Sequence, residues 1–307
     1  MSIEEQDDIF NFDFDDDVFI TKEEKEKLNI SKVNYEAKLE TDGWFHNHNK
    51  SIDEIMLEQH GANQLRNAIE HDYFYKRYDR ALTNALGYIR VAQNNKECKV
   101  SGTKEMTDIA MHCAAKLEKL DVLKELLWNK SHTQDTGLFL LRAKFYPLVE
   151  AYGEAIDACI AYNKERSSDY RVWSLMADTF MKSAATKPLL KKDEEMRYHL
   201  ANLCMRRAIH IMTNFRWKRN IDCVNARFVK DLEGLQSRLQ QTIDHDGDVD
   251  KFISWMNDNH QQIKKEQQRA KGLDEFAWDD IVWIHKDWAL RDFSDKVDED
   301  YKPVKDL

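Results

Sequence analysis

Apolar residues recur along most of the chain at the three- and four-residue spacing of amphipathic α-helices, beginning just after Ser51. The segment from Ser51 to Glu54 has the form of a capping box, in which each side chain satisfies a backbone N–H of the other residue, and it predicts a helix start. The periodic segments predict ten helices, over residues 52–75, 79–95, 104–117, 121–130, 135–149, 151–164, 169–185, 192–213, 222–243 and 249–270.

Composition supports an all-α fold. The 307 residues include only 9 Gly and 3 Pro, whereas an average chain carries roughly 12% of these two residues together. So few turn-forming residues leave little room for β-hairpins or for Gly-rich nucleotide-binding loops. Because most predicted connections are short, we expect neighbouring helices to pack as antiparallel helical hairpins.

A self-similarity with a period of 34 residues marks the middle of the chain. An aromatic, a small and a second aromatic residue recur at this period: Phe139, Ala143 and Tyr146, then Trp173, Ala177 and Phe180. The spacing Tyr-x-x-Ala-Ile lies between the two copies, as Tyr152, Ala155 and Ile156. Small residues that face each other let two helix backbones approach closely, and aromatic residues one turn away fill the wedge to the next pair. We therefore expect the close contact of the first pair between Ala143 and Ala155.

This pattern resembles the tetratricopeptide repeat, which has a period of 34 residues and the signature aromatic, small, aromatic, then Tyr-x-x-Ala. The most specific piece is Trp173-x-x-Met176-Ala177-x-x-Phe180. The resemblance implies antiparallel helical hairpins stacked as a short, irregular tetratricopeptide-like solenoid. The irregularity comes from Pro147, which should end or kink a first helix, and from a long turn over residues 183–192.

A second resemblance covers roughly two-thirds of the chain and rests on several short segments. These are FDFDDDVF and YEAKLETDGWF near the start, the Tyr78-Asp-Arg-Ala-Leu turn, and SSDYRVWSLMADTF at 167–180. In order and approximate spacing they are similar to the animal protein family of human chromosome 8 open reading frame 76. That resemblance implies a tetratricopeptide-like helical fold with no established enzymatic activity, and it transfers no catalytic residues.

Three regions follow from these patterns. Residues 1–50 are predicted to be an acidic, aromatic and partly disordered arm, residues 51–270 the tetratricopeptide-like helical domain, and residues 271–307 an acidic, aromatic C-terminal segment. The arm is too charged to build its own core, but it can dock aromatic rings into a partner through Phe10, Phe12, Phe14 and Phe19.

The C-terminal segment carries tryptophans at helical spacing among acidic residues: Trp278, Trp283 and Trp288. This spacing predicts a final amphipathic helix. Two roles remain open for it. The helix either caps the exposed end of the stack, as terminal repeats require, or docks onto a partner.

The formal charge of −10 and the pI near 5.6 argue against a general affinity for nucleic acid. One basic stretch stands out, but its charges fall on several helical faces, which favours a solvated surface: Arg206, Arg207, Arg216, Lys218 and Arg219. The acidic N-terminus is unlike a targeting peptide, and no apolar run approaches the roughly 18 residues of a membrane helix. We expect an intracellular protein of the nucleus or cytoplasm whose partners are proteins rather than nucleic acid or membrane.

The five cysteines are far apart and include no Cys-x-x-Cys pair: Cys98, Cys113, Cys159, Cys204 and Cys223. We expect them to be small apolar core residues in a reducing compartment.

Motifs for metal binding or catalysis fail on inspection. His46 and His48 lack further ligands at a suitable spacing, and His60 and His71 lie on one rough helical face without others. The acidic run from Asp244 puts glycine at the fourth position and tryptophan at the twelfth, where an EF-hand needs glycine sixth and glutamate twelfth, so a helix N-cap explains it better. The sequence therefore predicts no catalytic residue, no metal site and no cofactor.

The leading functional hypothesis is a non-enzymatic scaffold or adaptor that holds a segment of another protein in the concave groove of the repeat. The repeat register places five side chains in that groove: Leu140, Lys144, Arg171, Ser174 and Asp178. The alternative is an obligate subunit of a multiprotein complex that contacts its partners through the acidic aromatic termini. A third hypothesis, an enzyme or nucleic-acid-binding protein within a helical shell, has no motif to support it.

Overall fold

The structure is a computed structural model, and it describes residues 42–46, 49–100, 102–128, 136–186, 189–266 and 273–289. By its internal contacts the chain divides after Gly43. The helices described lie in the unit that begins at Trp44. The predicted docking residues Phe10, Phe12, Phe14 and Phe19 lie outside the described residues.

The described part of the chain is built from α-helices and one 3-10 helix, and it contains no β-strand, as the composition predicted. The helices are α1 (Ile52–Leu57), α2 (Gly61–Phe74), α3 (Tyr78–Asn94), α4 (Lys104–Lys116), α5 (Leu120–Trp128), α6 (Thr136–Phe145), α7 (Tyr152–Glu165), α8 (Tyr170–Thr186), α9 (Lys191–Asn214), α10 (Asp222–Asp244), α11 (Val249–Glu266) and α12 (Trp278–Ala289). Most observed boundaries lie within two residues of the predicted ones, and α12 confirms the predicted final helix.

The predicted helix over 52–75 is wrong in one respect, because it is two helices. The capping box is present: the Glu54 N–H donates to the Ser51 hydroxyl at 3.3 Å, and the Ser51 N–H donates to the Glu54 carboxylate at 2.8 Å. The first helix nevertheless ends after one and a half turns, and the chain reverses through His60, whose φ of 68° is left-handed. A Cβ on Gly61 would lie 1.7 Å from the Ile55 carbonyl oxygen, so this turn needs glycine.

The predicted helix over 135–149 is shortened by its proline, as expected. The α-helix α6 ends at Phe145, and residues Tyr146–Val149 form a 3-10 helix with Pro147 in its first turn. Proline has no N–H to donate to the preceding turn, which explains the change of helix type. Glu150 then takes a left-handed φ of 60° and turns the chain into α7.

The helices pack in adjacent pairs along the chain. Contacts join successive helices from α1 to α10, and helices two apart also touch: α2 with α4, α4 with α6, and α6 with α8. The helix α11 packs against α9. Buried residues of these helices form one continuous apolar core.

The residues of the 34-residue repeat lie in that core. Nine of them are buried: Ala143, Tyr146, Tyr152, Ala155, Ile156, Trp173, Met176, Ala177 and Phe180. Phe139 is half-buried and packs against the same cluster. Ala143 and Ala155 are both fully buried on α6 and α7, two helices that pack directly on each other.

The C-terminal segment folds back onto the middle of the molecule rather than covering only the last helix. Helix α12 contacts α7 and α11. Ahead of it, the Phe276 ring packs on Phe180 with centroids 5.0 Å apart. A Cβ on Gly153 would lie 2.3 Å from the Glu275 carbonyl oxygen, so this close approach also needs glycine. The segment is part of the core.

Candidate functional site

The five residues predicted to line a groove are not all accessible. Lys144 and Arg171 are exposed, and Leu140 and Asp178 are half-buried. Ser174 is only 4% exposed, so its assignment to an open groove is wrong. The side of α8 that the repeat pattern predicted to face solvent is not open, because three other helices pack around α8.

Helix α10 covers the face of α8 that carries Asp178. The Arg238 guanidinium of α10 donates to the Asp178 carboxylate at 2.9 Å, and the Tyr170 hydroxyl donates to the Asp231 carboxylate at 2.8 Å. Burial raises the pKa of Asp178 above its ordinary value, and the nearby Arg238 opposes that shift. Asp178 therefore joins two helices of this chain, and its predicted role in binding a partner stays a prediction.

Arg171 has a local role at the start of α8. Its side chain donates to Asp169 through Nε at 2.9 Å and through Nη2 at 2.8 Å, and its backbone N–H also donates to Asp169 at 3.1 Å. Burial acts to raise the pKa of Asp169, but the hydrogen bonds from Arg171 outweigh it and the pKa lies below its ordinary value. Of the predicted groove residues, Lys144 is the one exposed cation not engaged in this way; its ammonium lies 5.6 Å from the Phe145 ring centroid.

Helix α10, which is hydrogen-bonded to α8, has a long solvent-facing side. Only Phe228, Leu235 and Thr242 are buried in this helix, and they are spaced by seven residues, so they form one narrow stripe. The opposite side is exposed from Ala226 to Gln241. A Cβ on Gly234 would meet no atom within 4 Å.

The connection between α9 and α10 is an ordered corner, which we call the α9–α10 corner (residues 214–230). The Trp217 indole N–H donates to the Met212 carbonyl at 3.0 Å, and its ring packs edge-on against Phe228 with centroids 5.4 Å apart. The Arg219 guanidinium lies 4.9 Å from the Phe228 ring centroid. With Trp217 turned inward, Phe215 is left 57% exposed.

The basic residues noted in the sequence do not form one group in the structure. Arg207 is 3% exposed and lies 5.8 Å from the Trp173 ring centroid, and Arg206 donates to Asn202 at 2.8 Å. Neither belongs with the later cations. The exposed cations of the corner are instead Arg216, Lys218, Arg219, Arg227 and Lys230.

Sequence reasoning missed Arg227 and Lys230. The signal that could have found them is the seven-residue spacing of Phe228, Leu235 and Thr242, which defines the buried stripe of α10 and leaves both cations outside it.

The predicted C-terminal docking residues are engaged within the molecule. The Trp283 ring stacks on Trp173 with centroids 5.7 Å apart and an interplanar angle of 17°. Trp278 is half-buried, with its ring 6.3 Å from that of Trp255. Trp288 lies in α12, and its side chain is outside the described part. Trp278 and Trp283 therefore use part of their apolar area within the molecule, which weighs against the docking prediction for these two residues.

His46 and His71 lie close together at α2, although the sequence pattern pairs them with His48 and His60, respectively. The rings of His46 and His71 lie 5.0 Å apart, beside the fully buried Asp72 carboxylate, and the possible ligand atoms of the three residues lie within 4.8 Å of one another. His60 does not join them, and His48 lies outside the described residues.

The same carboxylate is already held by arginine. Arg80 donates to both oxygens of Asp72, at 2.7 Å and 2.6 Å, and Arg77 lies 3.5 Å from one of them. Two guanidinium groups oppose the approach of a metal cation, so the cluster fits a buried ion-pair clamp better than a zinc site.

A cavity of about 130 Å³ lies beside this clamp, lined by Phe45, His46, Lys50, Arg80, Asn84 and four apolar residues. Sites for cofactors and drug-sized ligands occupy roughly 300 Å³ or more, whereas a benzene-sized guest fits a cavity of about 150 Å³. This cavity therefore accommodates one apolar side chain and is too small for a nucleotide-sized cofactor.

The cysteines divide in two groups. Cys113, Cys159 and Cys204 are buried, as predicted, and burial raises the pKa of the Cys113 thiol to about 11 and that of Cys159 further in the same direction. Such thiols are inert as nucleophiles. Cys223 is exposed at the start of α10, so its assignment to the core is wrong, and Cys98 is half-buried.

The acidic run after α10 behaves as the N-cap explanation predicted. The Asp248 carboxylate accepts from the Asp250 N–H at 2.9 Å at the start of α11. The Asp248 N–H donates to His199 Nδ1 at 3.0 Å, which ties this turn to α9. The carboxylates serve the helix start and the packing of its neighbour.

Within the described parts of the chain, none of the helices combines the length and the apolar character needed to cross a bilayer. Comparison of the whole chain with protein-family models, with curated proteins and with solved structures found no match in any of the three.

Proposed function

We propose that the protein is a non-enzymatic interaction scaffold, a short tetratricopeptide-like stack of helical hairpins that binds a segment of a partner protein. Two features support the repeat architecture. The residues at the 34-residue period lie in the core, and helices two apart contact each other in the order expected when first helices of successive hairpins form a row.

The observation that carries the proposal is the exposed side of α10. In a row of first helices α10 follows α6 and α8, and side-chain contacts join it to α8. Only three of its 23 residues are buried, and the side opposite to them is exposed. We therefore propose that the binding surface lies on α10, and not on α6 and α8 as the repeat pattern predicted.

Site-specific photo-crosslinking in native cells tests this proposal. A p-benzoylphenylalanine in place of Lys230, on the exposed side of α10, should crosslink a partner protein that mass spectrometry identifies. The same amino acid in place of the exposed Lys124 on α5 is the control. Equal capture at both positions, or capture at neither, would contradict a binding surface on α10.

The second candidate is an obligate subunit that contacts its partners through both acidic aromatic termini. The packing of Trp278 and Trp283 against Trp255 and Trp173 weighs against the C-terminal half of that hypothesis. Its N-terminal half stays a prediction. Deletion of residues 1–24 from the full chain, followed by size-exclusion chromatography of the native complex, would support it if the complex dissociated while the helical core stayed folded.

A further inference from the structure

The α9–α10 corner is positively charged, whereas the protein as a whole is acidic. Residues 214–230 contain five Lys or Arg residues and one carboxylate, in a chain whose formal charge is −10. All five cations are exposed, and Asp231, which follows them, is shared between Arg227 at 3.7 Å and the Tyr170 hydroxyl. A local positive potential on an acidic protein selects for an anionic partner and orients its approach.

Apolar side chains stand among these cations. Phe215 is 57% exposed, and Ile221 and Val229 are each 43% exposed. Single exposed apolar residues are ordinary, but three of them within one corner, among charges that are mostly positive, are typical of an interaction surface. The partner must therefore offer apolar area as well as negative charge.

The corner is built to hold its shape. Short backbone hydrogen bonds follow one another through it: Trp217 N–H to the Phe215 carbonyl at 3.0 Å, Arg219 N–H to Trp217 at 2.9 Å, and Ile221 N–H to Lys218 at 3.1 Å. Trp217 anchors these turns against Phe228. A surface that is already ordered loses little conformational entropy when a partner binds.

Three kinds of anionic partner can be compared on this surface. A nucleic acid would use the cations and stack on Phe215, but it would gain nothing from Ile221 and Val229. An anionic bilayer would attract the corner while the rest of the acidic chain is repelled from it. An acidic amphipathic helix uses both the cations and all three apolar side chains.

We infer that the α9–α10 corner, continued by the exposed side of α10, binds an acidic amphipathic helix of a partner protein. The apolar face of that helix packs on Phe215, Ile221 and Val229, and its carboxylates pair with the surrounding Lys and Arg residues. The small side chains at Ala226 and Gly234 leave room for the second helix to lie along α10. The inference rests on the proposed scaffold function and specifies the partner.

Fluorescence anisotropy with the full chain tests the chemistry directly. The probe is a labelled helical peptide of about 18 residues with leucine at three- and four-residue spacing and glutamate elsewhere. A peptide with glutamine in place of every glutamate has the same apolar face without the charge. We expect the acidic peptide to bind at least about tenfold more tightly than the glutamine peptide, and this preference to shrink as salt is raised.

Matched variants locate the binding. The double variant Lys218→Glu/Arg227→Glu should weaken binding of the acidic peptide about tenfold or more, whereas Lys96→Glu/Lys124→Glu, which makes the same change in charge on exposed residues elsewhere, should leave it nearly unchanged. Phe215→Ser should weaken binding, and Phe74→Ser, at a residue that is 77% exposed, should not.

Other outcomes overturn the inference. Equal binding of the acidic and glutamine peptides would remove the role of charge, and equal effects of the two double variants would remove the role of the corner. Binding of phosphatidylserine vesicles or of a single-stranded RNA oligonucleotide, without binding of the acidic peptide, would assign the corner to those ligands. A crosslinked partner whose segment on α10 is neutral or basic would overturn this inference and leave the scaffold function standing.

Discussion

Helices α8 and α10 lie side by side, yet they relate to the core in opposite ways. Nine of the 17 residues of α8 are buried, including Trp173 and Phe180, whereas three of the 23 residues of α10 are buried. The difference arises because α10 and the C-terminal segment contact α8, whereas most of α10 faces solvent. A helix pattern read from the sequence alone does not reveal which of the two helices is covered.

Truncation of one apolar side chain on each helix tests this difference. Trp173→Ala should lower the free energy of unfolding by about 3–5 kcal/mol, because the ring is buried and stacks on Trp283. Val229→Ala on α10 should change it by less than about 0.5 kcal/mol, because the side chain is largely exposed. Urea unfolding of the full chain followed by circular dichroism measures both, and similar losses would mean that α10 is as deeply packed as α8.

The C-terminal segment that covers α8 carries a buried carboxylate, which makes its docking dependent on pH. Burial raises the pKa of Asp280 to about 6, and the nearby Asp157 adds to that shift while Lys164 opposes it. The folded state therefore holds the proton more tightly than the unfolded chain. The contribution of Asp280 to stability is most favourable below the ordinary aspartate pKa, declines as the pH rises towards 6, and is least favourable above it.

Asp280→Asn should remove this dependence. At pH 8 we expect the variant to be more stable than the wild type by about 1–3 kcal/mol, and the difference should vanish near pH 4. Urea midpoints measured across this pH range provide the check. Asp279→Asn, at the exposed neighbouring residue, is the control, and an equal effect of both variants would contradict a special role for burial.

Glycine substitutions compare the covered side of the molecule with the open one. Gly153→Ala should destabilise the fold by about 1–3 kcal/mol, because its Cβ would lie 2.3 Å from the Glu275 carbonyl oxygen and the C-terminal segment must shift. Limited proteolysis after residue 273 should become faster in this variant. Unchanged proteolysis and stability would show that the backbone approach at Gly153 is looser than its geometry indicates.

Gly234→Ala is the opposite case, because this glycine lies on the open side of the molecule. The added Cβ would meet no atom of the described chain, so the substitution should stabilise α10 by about 0.5–1 kcal/mol through its higher helix propensity. Thermal unfolding of the full chain measures the gain. A loss of stability would mean that α10 packs against other parts of the protein on this side.

Much of the fold could be predicted from residue patterns, because helix periodicity and capping are local properties. The box at Ser51 and Glu54, the change of helix type at Pro147, the N-cap at Asp248 and the final helix are all present. The break between α1 and α2 at His60 and Gly61 was not predicted. The requirement for glycine there arises from contact with the Ile55 carbonyl, not from the helical pattern.

The candidate site was less predictable, because accessibility depends on which distant segments pack together. Ser174 and Asp178 have polar side chains at positions that would face outward on an isolated hairpin, and the structure places α10 against that face. Conversely, Arg227 and Lys230 belong to a separate part of the sequence from Arg216 and Lys218, and the turn at Trp217 brings these cations into one corner.

The sequence by itself determined that the chain is helical, where most helices begin and end, and which aromatic and small residues form the interior. These outcomes depend on the spacing of apolar side chains and on a scarcity of glycine and proline, which act within a few turns of the chain. The tertiary structure alone decided which surfaces remain open. Burying Trp283 on Trp173 and placing α10 beside α8 remove apolar area from water only when segments far apart in sequence meet. The opposite side of α10 stays exposed to solvent.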